Sequence, residues 1–313
     1  MTERQGKRAY ILPAVACNLL WGSAIPFINI GYGHFGITGG DTGSQLLFAG
    51  CRFFLAGVLT VLFRSVTRGR AALPEGPGGW RAAGILCLAQ TVAQYIFFYI
   101  GVANTASVKA SIIQGLNAFV SILIAAYVFR YERMNGRKWL GGALGVMGVA
   151  AVSLGGSVDG GMKLTGEGFL ILSMTSCAAS AGLIKRFSRN RDPVALSGWQ
   201  FIMGGCVLAA LGAVMGGRLA PDGIGAWAVL GYLAFLSAAA YGVWSVLLKR
   251  HPVSRVAVFM FLQPLFGVVL GLLLVNQPLT RPWYQYALGL VLVCLSIYIV
   301  NRTSGKRNTG SAA

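Results

Sequence analysis

Residues 44–63 read SQLLFAGCRFFLAGVLTVLF, twenty positions in which Arg52 is the only charge. A helix rises ~1.5 Å per residue, so this stretch covers the ~30 Å hydrocarbon core of a bilayer. Working outward, similar apolar runs recur at about 10–29, 80–101, 105–128, 139–155, 166–185, 194–216, 225–247, 255–275 and 283–300. Several connections between them are very short, which makes neighbouring spans antiparallel hairpins. Backbone groups cannot stay unpaired in lipid, so runs this long are helices; an outer-membrane barrel needs ~10-residue alternating strands. The fold class is therefore all-α integral membrane, with ten transmembrane helices.

Composition agrees. Of 313 residues, 56% are hydrophobic and 11% charged, and the mean hydropathy is +0.67. An ordinary soluble domain carries ~25% charge, so a soluble enzyme and a disordered chain are both excluded. The formal charge of +18 suggests a nucleic-acid partner only until the charges are located. They sit in short clusters between apolar runs, so no nucleic acid is expected and membrane lipid is. The first run follows Arg4, Lys7 and Arg8. It is longer than a signal-peptide core and lacks a small-x-small cleavage site, so it reads as a retained span.

The basic residues set a direction. Twenty-one fall in one set of connecting segments, at Arg4–Arg8, Arg64–Arg81, Arg130–Lys138, Lys185–Arg191, Lys249–Arg255 and Arg302–Arg307. The opposite set holds Lys109, Lys163, Arg218 and Arg281. This asymmetry places the first set, and both termini, in the cytoplasm of a multi-pass protein of the cell (inner) membrane.

The two halves repeat. Gly50-Cys51-Arg52-Phe53 matches Gly198-Trp199-Gln200-Phe201, Trp80 matches Trp227, Tyr95 matches Tyr241, and Ala143-Leu144-Gly145 matches Ala287-Leu288-Gly289. Each half holds five spans, an odd number, so the second runs through the membrane upside down. Trp80 and Trp139 accordingly fall at cytoplasmic ends and Trp227 and Trp283 at external ends, as interfacial anchors. The chain divides into two inverted five-helix repeats, residues 1–155 and 156–302, with a cytoplasmic tail at 303–313. Inverted repeats are typical of secondary transporters.

Leu20-Trp21-Gly22-Ser23, Arg52-Phe53-Phe54-Leu55-Ala56, Tyr131-Glu132-Arg133-Met134, Trp139-Leu140-Gly141-Gly142-Ala143-Leu144-Gly145, Gln263-Pro264-Leu265-Phe266 and Asn276-Gln277-Pro278-Leu279-Thr280 complete the pattern. With them the chain resembles the drug/metabolite transporter superfamily, EamA type, over roughly residues 10–300. It departs from that pattern at Asn117-Ala118-Phe119, where a proline is common, and at Gln277, where an acid is expected. The resemblance implies a central cavity lined by spans 1, 3, 4, 6, 8 and 9.

Polar and aromatic groups at mid-depth fall on those same spans. Span 1 carries Trp21, with Pro26 marking a kink. Span 3 carries Gln90, Gln94 and Tyr95; span 4 carries Gln114 and Asn117. Span 6 carries Ser176 and Ser180, span 8 carries Tyr241 and Trp244, and span 9 carries Gln263. Apart from Tyr95, which adjoins Gln94, their spacing keeps each set on one helical face. An amide facing lipid costs ~2–7 kcal/mol by transfer scales, so the faces point inward, at one another or at a substrate. Spans 5, 7 and 10 read as packing helices through Gly141-x-x-x-Gly145 and Gly212-x-x-x-Gly216.

Arg52 lies near mid-depth, where arginine costs ~2.5–3.5 kcal/mol on insertion scales. It is accommodated by backbone carbonyls, by an amide such as Gln200, by snorkelling, or by the substrate. In the last case its field favours anionic groups and disfavours purely cationic drugs. The eight acids lie in loops, tails or, for Glu167, at a span end, so no buried carboxylate stands ready as a proton carrier. Facilitated transport or exchange follows. No GxxxxGK[ST] loop is present, so ATP does not drive it. Six scattered cysteines and two loop histidines point to no disulfide, metal or cofactor, and the buried acid/base constellation of a membrane-embedded enzyme is missing.

The expected activity is export of small organic metabolites, such as amino acids or related solutes, by alternating access. A lipid or nucleotide-sugar-like translocator of the same fold is the alternative. The partners are a small-molecule solute and membrane lipids, and the sequence is compatible with a homodimer.

Overall fold

The computed structural model describes residues 10–105, 110, 113–153, 163–275 and 282–302. Every element in it is helical. The helices are α1 (Ile11–His34), α2 (Thr42–Arg68), α3 (Gly79–Val102), α4 (Ile113–Val128), α5 (Gly136–Ser153), α6 (Leu164–Phe187), α7 (Pro193–Val214), α8 (Ile224–Arg250), α9 (Val253–Leu274) and α10 (Trp283–Arg302). Eight of them are long and apolar enough to cross a membrane; α4 is a shorter apolar helix, and α5 has 18 residues. These are the ten expected spans. The N-terminal part of span 4, with Lys109, and the segment holding Gln277 and Arg281 lie outside the described residues.

Local chemistry explains the helix ends. Asp41 caps α2 by accepting from Ser44 N at 2.9 Å, and Asp192 caps α7 by accepting from Val194 N at 2.9 Å, with Pro193 at the first helical position. Each cap satisfies a backbone donor that the helix cannot. In α9 a 3-10 turn at Val258–Phe261 precedes Gln263-Pro264. Pro264 has no N–H to give to the turn before it, and the tighter winding accommodates that loss. The α1 helix continues on both sides of Pro26.

The antiparallel pair α2/α7 is the spine of the molecule. Gly43, Gly50 and Gly57 stand one heptad apart on α2, and Gly198, Gly205 and Gly212 stand one heptad apart on α7. The backbones meet along these stripes. A Cβ at Gly50 would lie 2.3 Å from Ala209 N, one at Gly205 2.4 Å from Phe54 N, and one at Gly212 2.4 Å from Leu47 N. Such approach suits helix association where lipid offers no hydrophobic drive. Gly216 takes no part, correcting the expected Gly212/Gly216 face. The helix ends at Val214, and Gly216 adopts φ +82° to turn the chain. At the periphery α5 packs on α10, where Gly141 faces Val300 and Ser296 Oγ donates to Gly141 O at 2.6 Å.

Contacts between the halves occur at both ends. At the basic end Glu132 of the α4–α5 loop accepts from Ser254 N at 2.9 Å and also from Ser254 Oγ. Tyr10 donates to Asn301 Oδ1 at 2.7 Å. At the opposite end His34 and Asp222 are 2.8 Å apart, and Ala220 N donates to Phe35 O at 3.1 Å. The middle of the bundle lies between these closures.

Candidate functional site

Arg52 on α2 is 3% exposed. Its Nε donates to Ser237 Oγ of α8 at 3.0 Å, and its guanidinium stands 5.1 Å from the Phe53 ring centroid. Its Nη groups have no hydrogen-bond partner among the described residues, and no carboxylate pairs with it there. Gln200, an expected partner, is engaged elsewhere: its Oε1 accepts from Thr91 Oγ1 at 2.7 Å. The reason is register. Gln200 sits against the face of α3 that carries Thr91, while Ser237 approaches α2 from α8.

Aromatic rings enclose this cation. Trp21 meets Tyr241 at 5.0 Å and Trp244 at 4.9 Å, both edge-on. The hydroxyls of Tyr95 and Tyr241, the residues that match across the repeat, are 3.3 Å apart. Phe53 lies 4.5 Å from Tyr95 and stacks on Phe201 at 5.2 Å. Tyr32, Tyr95, Tyr99 and Tyr241 are all electrostatic neighbours of Arg52.

Several buried polar atoms here have no hydrogen-bond partner among the described residues: Trp21 Nε1, Gln90 Oε1, Gln94 Oε1 and Gln200 Nε2. Each costs free energy unless water or a ligand meets it. Tyr95 and Cys177 keep part of their surface accessible. Residues Cys87–Ala93 form a π-helical segment inside α3, a distortion frequent at functional sites.

The remaining expected residues divide. Gln114 is part-exposed on α4. Asn117 donates to Cys177 Sγ at 3.2 Å, and Gln263 donates to Asn18 Oδ1 at 3.0 Å, so both tie helices together. Ser176 and Ser180 donate their hydroxyls to carbonyls, Ala89 O at 2.7 Å and Cys177 O at 2.6 Å. Tyr32 and Tyr99 were not expected. Tyr99 is one turn beyond Tyr95 on the same face of α3, and that i,i+4 spacing was the available signal.

A hollow of about 350 Å³ opens at the basic end among Glu132, Lys138, Lys185, Arg250 and His251. Lys138 Nζ pairs with Glu132 at 2.6 Å, and Lys185 Nζ donates to Leu248 O and His251 O at 2.9 and 2.6 Å. Burial, then Arg255, Lys185 and Arg250, hold the His251 pKa below its ordinary value. Among the described residues no group of three His, Cys, Asp or Glu is placed to hold a metal.

The EamA-like transporter family model matches residues 8–154 and again 164–302. The chain belongs to the EamA-like transporter family. Its two matched segments are the two five-helix halves. An uncharacterized transporter of Synechocystis sp. is 26% identical over 308 residues, covering 93% of this chain and 89% of its own length. A "probable amino-acid metabolite efflux pump" of Escherichia coli (strain K12) is 25% identical over 312 residues, covering 96% and 95%. A crystal structure superposes with a TM-score of 0.74 at 16% identity, over 92% of this chain and 94% of that one, which shows a shared fold. This EamA-like chain is a multi-pass membrane protein of a transporter family, whose setting implies lipid around it and a small solute as its cargo.

Proposed function

We propose that this EamA-like protein is a secondary transporter that exports small organic metabolites, amino acids or related solutes among them, without ATP. The carrying observation is the polar–aromatic cluster shared between two oppositely directed halves, with unpartnered donors and acceptors at its centre. Halves of opposite direction exchange inward-open and outward-open shapes around one site. The ties at the two ends, Glu132–Ser254 and His34–Asp222, are then the contacts that alternate. Amino-acid metabolites are favoured because a relative covering nearly the whole chain bears that name.

The proposed units are residues 1–155 and 156–302, with a tail at 303–313. Both termini face the cytoplasm of the inner membrane, as the basic residues dictate. The protein is proposed to act without covalent catalysis. Its described acids lie at helix ends and loops, away from Arg52, so exchange or facilitated flux is favoured over carboxylate-based proton antiport. Proteoliposomes loaded with a labelled amino-acid panel test this: solute should leave down its gradient without ATP. Absence of protein-dependent flux for every member, or flux strictly coupled to one proton, would count against it.

A further inference from the structure

Arg52 is almost wholly buried, carries a permanent charge, and among the described residues has one hydrogen-bond partner, the neutral Ser237 Oγ. Ser237 in turn donates to Leu233 O at 2.8 Å, so its lone pair, not its proton, serves the arginine. The described acids are engaged at the ends of the bundle: Glu132 with Lys138 and Ser254, Asp192 with Arg64 and Arg68, Asp222 with His34, Glu75 with Arg68, Asp41 with Ser44, and Glu167 with Lys163 N. A buried cation needs a compensating charge or a full set of acceptors, and the surroundings supply tyrosine hydroxyls and ring faces instead. Near it the hydroxyl of Tyr32 faces that of Tyr99, and the indole N–H of Trp21 has no partner among the described residues.

We propose that the missing counter-ion of Arg52 is the substrate's own carboxylate, so the transported class is small carboxylates, zwitterionic amino acids included. This rests on the transporter reading above and narrows it. The guanidinium fork presents two parallel N–H donors, the geometry a carboxylate accepts. The Trp21 indole N–H donates a further bond, and the rings of Trp21, Tyr241 and Trp244 pack against the rest of the molecule. A neutral amide offers the fork one good acceptor rather than two. An amine without a carboxyl group brings a second positive charge to a buried cation.

The test uses full-length protein in liposomes with L-leucine, L-leucinamide and isopentylamine, which share a side chain and differ at the carboxyl group. Flux and ligand-induced thermal shift are both read, on wild type, Arg52→Lys and Arg52→Gln. Wild type should favour L-leucine over the other two by roughly tenfold to a hundredfold, the size of a lost charge-assisted hydrogen bond. Arg52→Gln should lose that preference while remaining monodisperse, and Arg52→Lys should keep part of it. A merely structural arginine would change total activity and leave the preference intact. Wild type that moves isopentylamine or L-leucinamide as well as L-leucine overturns the carboxylate assignment and leaves the transporter reading standing. Neither flux nor thermal shift with any of the three overturns the assignment, and failure of a wider solute panel as well removes the transporter reading too.

Discussion

Arg52 of the first half and Ser237 of the second are joined by a 3.0 Å hydrogen bond at the centre of the bundle. The bond crosses between the inverted repeats and fastens a cation where the two meet. Around it lie the ring contacts of Trp21, Tyr95 and Tyr241, so movement of one half against the other must pass through this cluster.

A cation with one neutral partner is a poor stabiliser. Arg52→Met keeps much of the volume and removes the desolvation cost, a change that is often neutral or stabilising by ~1–4 kcal/mol for buried ionic groups. Thermal unfolding in detergent should therefore be unchanged or shifted upward, while flux in liposomes falls at least tenfold. A marked loss of stability would show instead that the arginine holds the fold.

The α2/α7 seam should be intolerant of side chains. At Gly205 even a Cβ meets the Phe54 backbone at 2.4 Å, so Gly205→Leu forces the helices apart and costs ~1–3 kcal/mol or more. The same substitution at Gly231, where a Cβ meets nothing within 4 Å, should be tolerated. Melting temperatures of the two variants compare them directly.

Glu132 ties the α4–α5 loop to the start of α9 through Ser254 N, and Lys138 Nζ pairs with it at 2.6 Å. Glu132→Ala removes these charge-assisted bonds, each worth ~1.5–3 kcal/mol, and should bias the protein toward opening at that end. A variant retaining Cys177 as its sole thiol should then react faster with a small polar maleimide added from the Glu132 side. Unchanged reactivity would mean that the tie does not gate access.

Asp192 lies between Arg64 and Arg68. Burial pushes its pKa upward, but hydrogen bonds from Arg64 and Val194 N and the two guanidinium charges outweigh that and hold it below the ordinary 3.8. Since the folded value is the lower one, the stabilisation is complete above the unfolded pKa and is lost as pH falls through the folded value. Stability in detergent should decline below about pH 4, and Asp192→Asn should flatten that decline. An identical acid profile in the variant would assign the loss to other groups.

Length and apolar runs made the ten helices legible, because the bilayer demands ~20 residues per span. The Tyr95/Tyr241 match exposed the axis of the repeat, and the structure sets those hydroxyls 3.3 Å apart. The partner of Arg52 was not legible: Gln200 and Ser237 are both polar and mid-depth, and only helix rotation decides between them. The hydrogen-bond partners of Ser176 and Ser180 were not legible for a related reason. A serine on an inward face bonds a carbonyl as readily as a solute, and the π-helical segment holding Ala89 leaves no mark in residue type.

The most direct measurement uses Trp21, whose indole N–H has no hydrogen-bond partner among the described residues. A variant with Trp21 as its sole tryptophan, the other six replaced by phenylalanine, is purified and shown to transport. Adding a transported solute such as L-leucine should shift or quench its emission in step with the concentration dependence of flux. An active variant whose emission ignores every solute it carries would put the pathway somewhere other than between the two inverted halves.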